Sequence, residues 1–260
     1  MKSTARLVRD THQKAFAKIF DGLVGRYSRW QVWQDFIVLS ACSVSNMVDK
    51  SHAEKREKTY LSIAGKYSPE EMSAFSRMLA EIVLGIERNP DQDFLGELYM
   101  RLEMGNDSAG QVFTPYDVCT AMAKLTNGDQ LKEQVERDGW VSVNDCACGA
   151  GATLLAFANE CLRQGVNYQP RVLFTAQDID WIVGMMCYLQ LSLIGAAGYV
   201  EITDSLIKPT LCVDRRGLIP RPGPNVWYTP MYFREEWHFR RVCAQMDMLW
   251  ARINEEVPGC

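Results

Sequence analysis

Three aspartates end three short apolar runs in the second half of this 260-residue chain: Asp145 after residues 140–144, Asp178 after residues 172–177, and Asp204 after the alternating run 199–203. Between the first run and a helical stretch lies a glycine turn, Cys146-Ala147-Cys148-Gly149-Ala150-Gly151. Strand, glycine turn, helix is how nucleotide-binding sheets hold their ligands. A pyrophosphate needs backbone amides and a helix N-terminus, and a carboxylate beside the turn repels it. The three aspartates therefore select a ligand with hydroxyls and positive charge. A carboxylate at the second strand end accepts from ribose hydroxyls, and one at the third can accept from an exocyclic amine.

S-adenosyl-L-methionine meets that specification: it has a ribose, an adenine amine, an ammonium and a sulfonium, and no phosphate. Each aspartate taken singly could equally be a helix cap. Three at consecutive strand ends point to a ligand.

The elements that must position them follow from hydrophobic period. Residues 1–107 read as successive helices, an all-α domain with polar breaks near residues 51–58, 68–71 and 89–90. Ser68-Pro69-Glu70-Glu71 is a helix start, followed by Met72, Phe75, Met78, Leu79, Ile82 and Val83 at helical spacing. Residues 108–260 alternate strand and helix, which predicts a doubly wound parallel α/β sheet, Rossmann-like, either whole or incomplete. Residues 181–200 are uncharged and long enough to imitate a membrane span, but acidic residues flank them and Gly195 and Gly198 interrupt them; a buried helix and strand fit better. The net charge of −4 excludes nucleic-acid binding by bulk electrostatics, so any such contact is local or borrowed from a partner. Nine cysteines without a CxxC pair, and three histidines, give no zinc pattern and suit a reducing cytosol. The expectation is a cytoplasmic protein with no metal site and no membrane segment.

The motifs also resemble a known family. Asp145-Cys146-Ala147-Cys148-Gly149-Ala150-Gly151 looks like the Asp-Pro-Ala-Cys-Gly-Thr-Gly motif of the N6-adenine DNA methyltransferases, above all the modification subunits of type I restriction systems. Gly110-Gln111-Val112-Phe113-Thr114-Pro115 is similar to their Gly-Gln-Phe-Phe-Thr-Pro, Ala176-Gln177-Asp178-Ile179-Asp180 to their Gly-Gln-Glu-Ile-Asp, and Thr203-Asp204-Ser205-Leu206 to their Gly-Asp-Ser-Leu. The order over residues 110–206 is the family's, and a helical domain precedes it there too. The resemblance implies a Rossmann-like fold, S-adenosyl-L-methionine as cofactor, and Phe113, Thr114, Pro115, Asp145, Gly149, Gly151, Asp178, Ile179 and Asp204 as its binding residues. Read locally, Thr114 can also cap a helix with Pro115 in its first turn.

The family's Asn-Pro-Pro-Tyr/Phe signature is absent. That motif accepts the two N6 hydrogens of an adenine flipped from the duplex and stacks an aromatic ring on the base. The nearest stretch is Thr229-Pro230-Met231-Tyr232, which makes Thr229, Pro230 and Tyr232 the candidate catalytic residues; the alternative is that these aromatics pack a C-terminal helix onto the sheet. Pro220, Pro222 and Pro224 argue against a well-formed central fourth strand. The expected function is methyl transfer to adenine N6 in DNA, as in restriction and modification, with sequence choice supplied by a specificity subunit or by dimerisation. Alternatives are a cofactor-binding pseudo-methyltransferase acting as scaffold, a methyltransferase on another substrate, and, distantly, a dehydrogenase. Of the arginines at 215, 216, 221, 234, 240 and 241, solvated surface is the expectation.

Overall fold

The computed structural model of the chain describes residues 10–102, 113–127 and 130–256. Five helices come first: α1 (Thr11–Leu23), α2 (Arg29–Val48), α3 (Ala53–Ala64), α4 (Pro69–Arg88) and α5 (Phe94–Arg101). Side chains start most of them by satisfying otherwise orphaned amides. Asp10 accepts from the amides of His12 and Gln13, and Ser28 from that of Gln31. Ser68 and Glu71 form the reciprocal capping box expected from their spacing. Inside, Phe16 meets Phe36 and Trp33 edge-on at 5.2 and 5.9 Å between ring centroids, the arrangement that aromatic quadrupoles favour.

The second part contains α6 (Tyr116–Asn127), α7 (Leu131–Asp138), β1 (Val141–Asp145), α8 (Ala152–Arg163), α9 (Tyr168–Arg171), β2 (Val172–Asp178), α10 (Trp181–Leu193), β3 (Ala197–Ile202), β4 (Val226–Tyr228), a 3-10 turn Pro230–Phe233, and α11 (Glu235–Glu256). The strands lie in the order β1-β2-β3-β4, the first three parallel. Helices α8 and α10 cover one face, and α6 lies against α8. The uncharged segment 181–200 becomes α10 and β3, because α10 is buried on nearly every side, with α2 and α5 packed against it. Among the described residues, no helix is long and apolar enough to cross a membrane. One cluster of buried side chains runs from Phe16 to Trp227 through both parts. The boundary expected near residue 107 falls within 103–112, outside the described residues.

Arg56 joins the helices to the far sheet edge. Its guanidinium donates to Asp49 at 2.7 Å and to the Val226 carbonyl at 2.7 Å, and lies 3.9 Å from the Trp227 ring centroid. Burial works against the ionised Asp49, but hydrogen bonds from Ser51 and His52 and the Arg56 charge outweigh it and hold its pKa below the ordinary value.

The fourth strand departs from a doubly wound sheet. β4 is three residues long and runs antiparallel to β3, pairing Tyr199 with Tyr228 and Glu201 with Val226. The chain returns from the carboxyl end of β3 through the proline-containing segment and pairs at once with its neighbour, without a crossover helix. The residues after β4 therefore arrive at the amino ends of the parallel strands. β1, at the other side, is an edge strand among the described residues.

Candidate cofactor site

The glycine turn follows β1 and opens α8. Gly149 and Gly151 both have positive φ, +56° and +98°, a region that side chains with a Cβ rarely occupy. At Gly151 a Cβ would also sit 2.9 Å from the Cys187 sulfur, so this glycine lets the turn pack on α10. The Cys148 amide donates to the Gln177 carbonyl at 2.9 Å, tying the turn to β2.

Asp145 and Asp178 flank the turn from adjacent strands. Asp178 accepts from the Gly149 amide at 2.8 Å through one oxygen and from the Asp180 amide at 2.9 Å through the other. A carboxylate has about four lone-pair sites, so two remain for the two hydroxyls of a ribose. Burial raises the pKa of Asp178; the Asp180 and Asp145 charges add to this, while the two amide bonds oppose it. Asp145 accepts from the Ala147 amide at 3.1 Å and from the Thr153 hydroxyl. It also keeps capacity for a cationic group.

Phe113 comes from before α6 and reaches the same place. Its ring lies 3.5 Å from where a Cβ on Gly149 would stand, and stacks on Tyr99 at 5.2 Å. Thr114 and Pro115 are exposed and, with Asp93, Gly96 and Phe113, line a cleft of ≈ 220 Å³. The helix start there is one residue later than expected: the Pro115 carbonyl accepts from the amides of Val118 and Cys119, and α6 begins at Tyr116. Gly110, Gln111 and Val112 of the same motif lie outside the described residues.

Ile179, 71% exposed, follows Asp178. Asp204, at the carboxyl end of β3, accepts from the amides of Leu206 and Ile207 at 2.9 and 3.1 Å through one oxygen, the bland capping role, with the other oxygen free to accept from a ligand. Leu206 and Ile207 are almost wholly exposed and give this rim of the sheet an apolar lining that suits a flat base.

Two residues of the site were not identified from sequence. Gln190, buried in the middle of α10, donates to the Ala150 carbonyl inside the turn at 2.9 Å and to Asp93 at 2.7 Å, and accepts from the Leu95 amide at 3.0 Å. Asp93 in turn accepts from the Gly96 amide at 2.9 Å, capping α5. Burial pushes Asp93 up to about 6, only partly offset by those bonds. The one available signal was Gln190 standing alone in an apolar run.

The structure places the candidate catalytic residues away from the glycine turn. Thr229 is fully buried; its hydroxyl donates to the Ala196 carbonyl at 2.7 Å and accepts from the Gly198 amide at 3.0 Å. Tyr232 is buried and donates to the Leu218 carbonyl at 2.8 Å, and Pro230 begins the 3-10 turn. All three sit by the amino end of β3, whereas Asp145, Asp178 and Asp204 sit at carboxyl ends. Antiparallel β4 is the cause. Tyr232 packs in a cluster with Trp237, Tyr199 and Leu218.

The donor set fits S-adenosyl-L-methionine: two carboxylates with spare acceptor sites, an amide-rich turn, an apolar rim and no basic side chain on the turn. Residues 91–216 match the family model for N-6 DNA methylase. A solved structure from Listeria monocytogenes, provisionally described as a class I S-adenosylmethionine-dependent methyltransferase, is 18% identical over 79% of this chain and 57% of its own, with a TM-score of 0.41. The chain thus spans a little over half the length of that structure. A search of curated proteins gives no match. Residues 91–216, a little under half of the chain, are thus similar to the N-6 DNA methylase family, and the cofactor this implies is S-adenosyl-L-methionine.

Proposed function

We propose that the chain holds S-adenosyl-L-methionine at the glycine turn for methyl transfer to adenine N6 in DNA. The observation that carries this reading is the convergence of Phe113, Gly149, Asp145 and Asp178, from separate stretches of sequence, on the carboxyl edge of the sheet. When bound, the cofactor supplies an electrophilic methyl group on its sulfonium. The chain's own part is binding: Asp178 holds the ribose hydroxyls, Asp145 and the cleft by Thr114 take the amino-acid end, and Ile179 and Leu206 cover the base. The acceptor amine needs a partner that accepts its hydrogens, and β1, beside the turn, is an edge strand among the described residues, where such a group could approach.

A second reading, a cofactor-binding scaffold without chemistry of its own, is favoured by one observation: the residues nearest to a catalytic loop are buried at the wrong end of the sheet. Transfer of labelled methyl from the cofactor to unmethylated duplex DNA separates the two. Incorporation at adenine supports the first. Cofactor binding with no incorporation into DNA removes it and leaves the scaffold; incorporation into another substrate would retain the cofactor role and remove DNA.

A further inference from the structure

Helix α11 is apolar on two opposite sides, and among the described residues only one of them is covered. On the inner side Trp237 is fully buried and donates to the Gln169 carbonyl at 2.8 Å, and Arg240 donates to the Pro170 carbonyl at 2.7 Å. Ala244, two turns on from Trp237, continues this contact. On the outer side Phe239, Met246, Leu249, Trp250 and Ile253 are 54–68% exposed, five large apolar side chains within about four turns. Phe239, Met246 and Ile253 repeat at seven-residue intervals, with Val242 and Leu249 between them. That is the seam by which one α-helix packs on another, not the scatter of a solvated face.

We propose that this seam pairs with the same seam of a second copy of the chain, antiparallel, about a two-fold axis at Met246. Size and shape both support a second copy. With side chains of roughly 150–250 Å² each, the exposed part of the seam amounts to roughly 600 Å² per chain, hence roughly 1,200 Å² between two copies, the lower end of a specific interface. The order of residues is self-complementary in the antiparallel sense. Phe239 faces the partner's Ile253, and Trp250, the largest, faces the partner's Val242, one of the smaller apolar residues; Leu249 faces the partner's Cys243. A parallel pairing would set Trp250 against the partner's Trp250 and leave gaps at Val242 and Cys243, with voids where close packing is needed. The inner side stays on the sheet throughout, so the proposal requires no rearrangement of either copy. It is independent of the cofactor reading.

The test is sedimentation equilibrium on the full chain. The wild type is expected at twice the chain mass at micromolar concentration. Trp250→Glu with Leu249→Glu places charges in the seam and should weaken association by roughly a hundredfold or more, with far-ultraviolet circular dichroism unchanged. A second variant does not depend on destabilisation: Met246→Cys should form an intermolecular disulfide at the two-fold axis on mild oxidation, well above the wild-type level, whereas Lys14→Cys on α1 should not. A wild type that remains monomeric to high concentration, a dimer untouched by the two charges, or no excess crosslinking by Met246→Cys would each overturn the proposal. Binding of an unrelated helix by a monomeric chain would assign the seam to that occupant instead.

Discussion

Replacing Asp93 by Asn removes a charge while keeping an oxygen that can accept from Gly96 and Gln190. The folded pKa of about 6 compares with an unperturbed 3.8. Well below pH 3.8 the group is protonated in both folded and unfolded chains and contributes no pH dependence. Between the two values the folded chain keeps the proton that the unfolded chain has lost, so this group makes stability fall as pH rises, by up to about 1.4 kcal/mol per pH unit. Above about pH 6 the cost levels off at about 3 kcal/mol. At pH 4 the folded Asp93 is itself a neutral acid, so Asp93→Asn should be close to wild type in stability there and gain on it by roughly 2–3 kcal/mol on going to pH 7. Urea unfolding of both proteins at pH 4, 5, 6 and 7 measures the difference, in which every other titrating group cancels. Parallel profiles would refute the argument, since Asp93 would then ionise in the fold as readily as in the unfolded chain.

Other outcomes follow from the same geometry. Arg56→Ala leaves Asp49 buried without its guanidinium partner and should cost about 3–5 kcal/mol in chemical denaturation; a loss below 1 kcal/mol would mean that the contact is solvated. Gly151→Ala meets both the positive φ and the Cys187 sulfur and should lose roughly 1–3 kcal/mol, whereas Gly25→Ala, with a positive φ and open space, tests the φ contribution alone. Thr229→Val should destabilise by roughly 1–3 kcal/mol through the unpaired Gly198 amide and Ala196 carbonyl, without changing cofactor affinity; a selective loss of affinity would return Thr229 to the site. Cofactor affinity should fall as pH is lowered through the raised pKa of Asp178, because the protonated acid has lost acceptor sites and charge. Asp178→Asn should bind weakly and flatten that dependence.

The parts of this molecule that were legible in sequence are those set by local chemistry. The capping box at Ser68 and Glu71 needs only a serine, a proline and a glutamate at fixed spacing. The three parallel strands follow from apolar runs ending in aspartates, and α10 from an uncharged segment with a polar cap at Asp180. The direction of β4 was not legible. A three-residue strand has too little pattern to show whether a crossover precedes it, and the return without a helix decided where Thr229 would lie. The Gln190 brace was equally hidden, because its three partners come from α5 and the glycine turn, 40 to 97 residues away. Helix α11 was read as one helix, but which of its two apolar sides would meet the sheet depended on where Trp237 found the Gln169 carbonyl.

The central claim is that the turn between β1 and α8 holds S-adenosyl-L-methionine through Asp178. Calorimetric titration of the full chain with the cofactor, beside Asp178→Ala, addresses it directly. Micromolar binding of one cofactor per chain, abolished in a variant that retains its circular dichroism, is the predicted result. No heat and no shift in melting temperature with the folded wild type, or equal binding by Asp178→Ala, would contradict it.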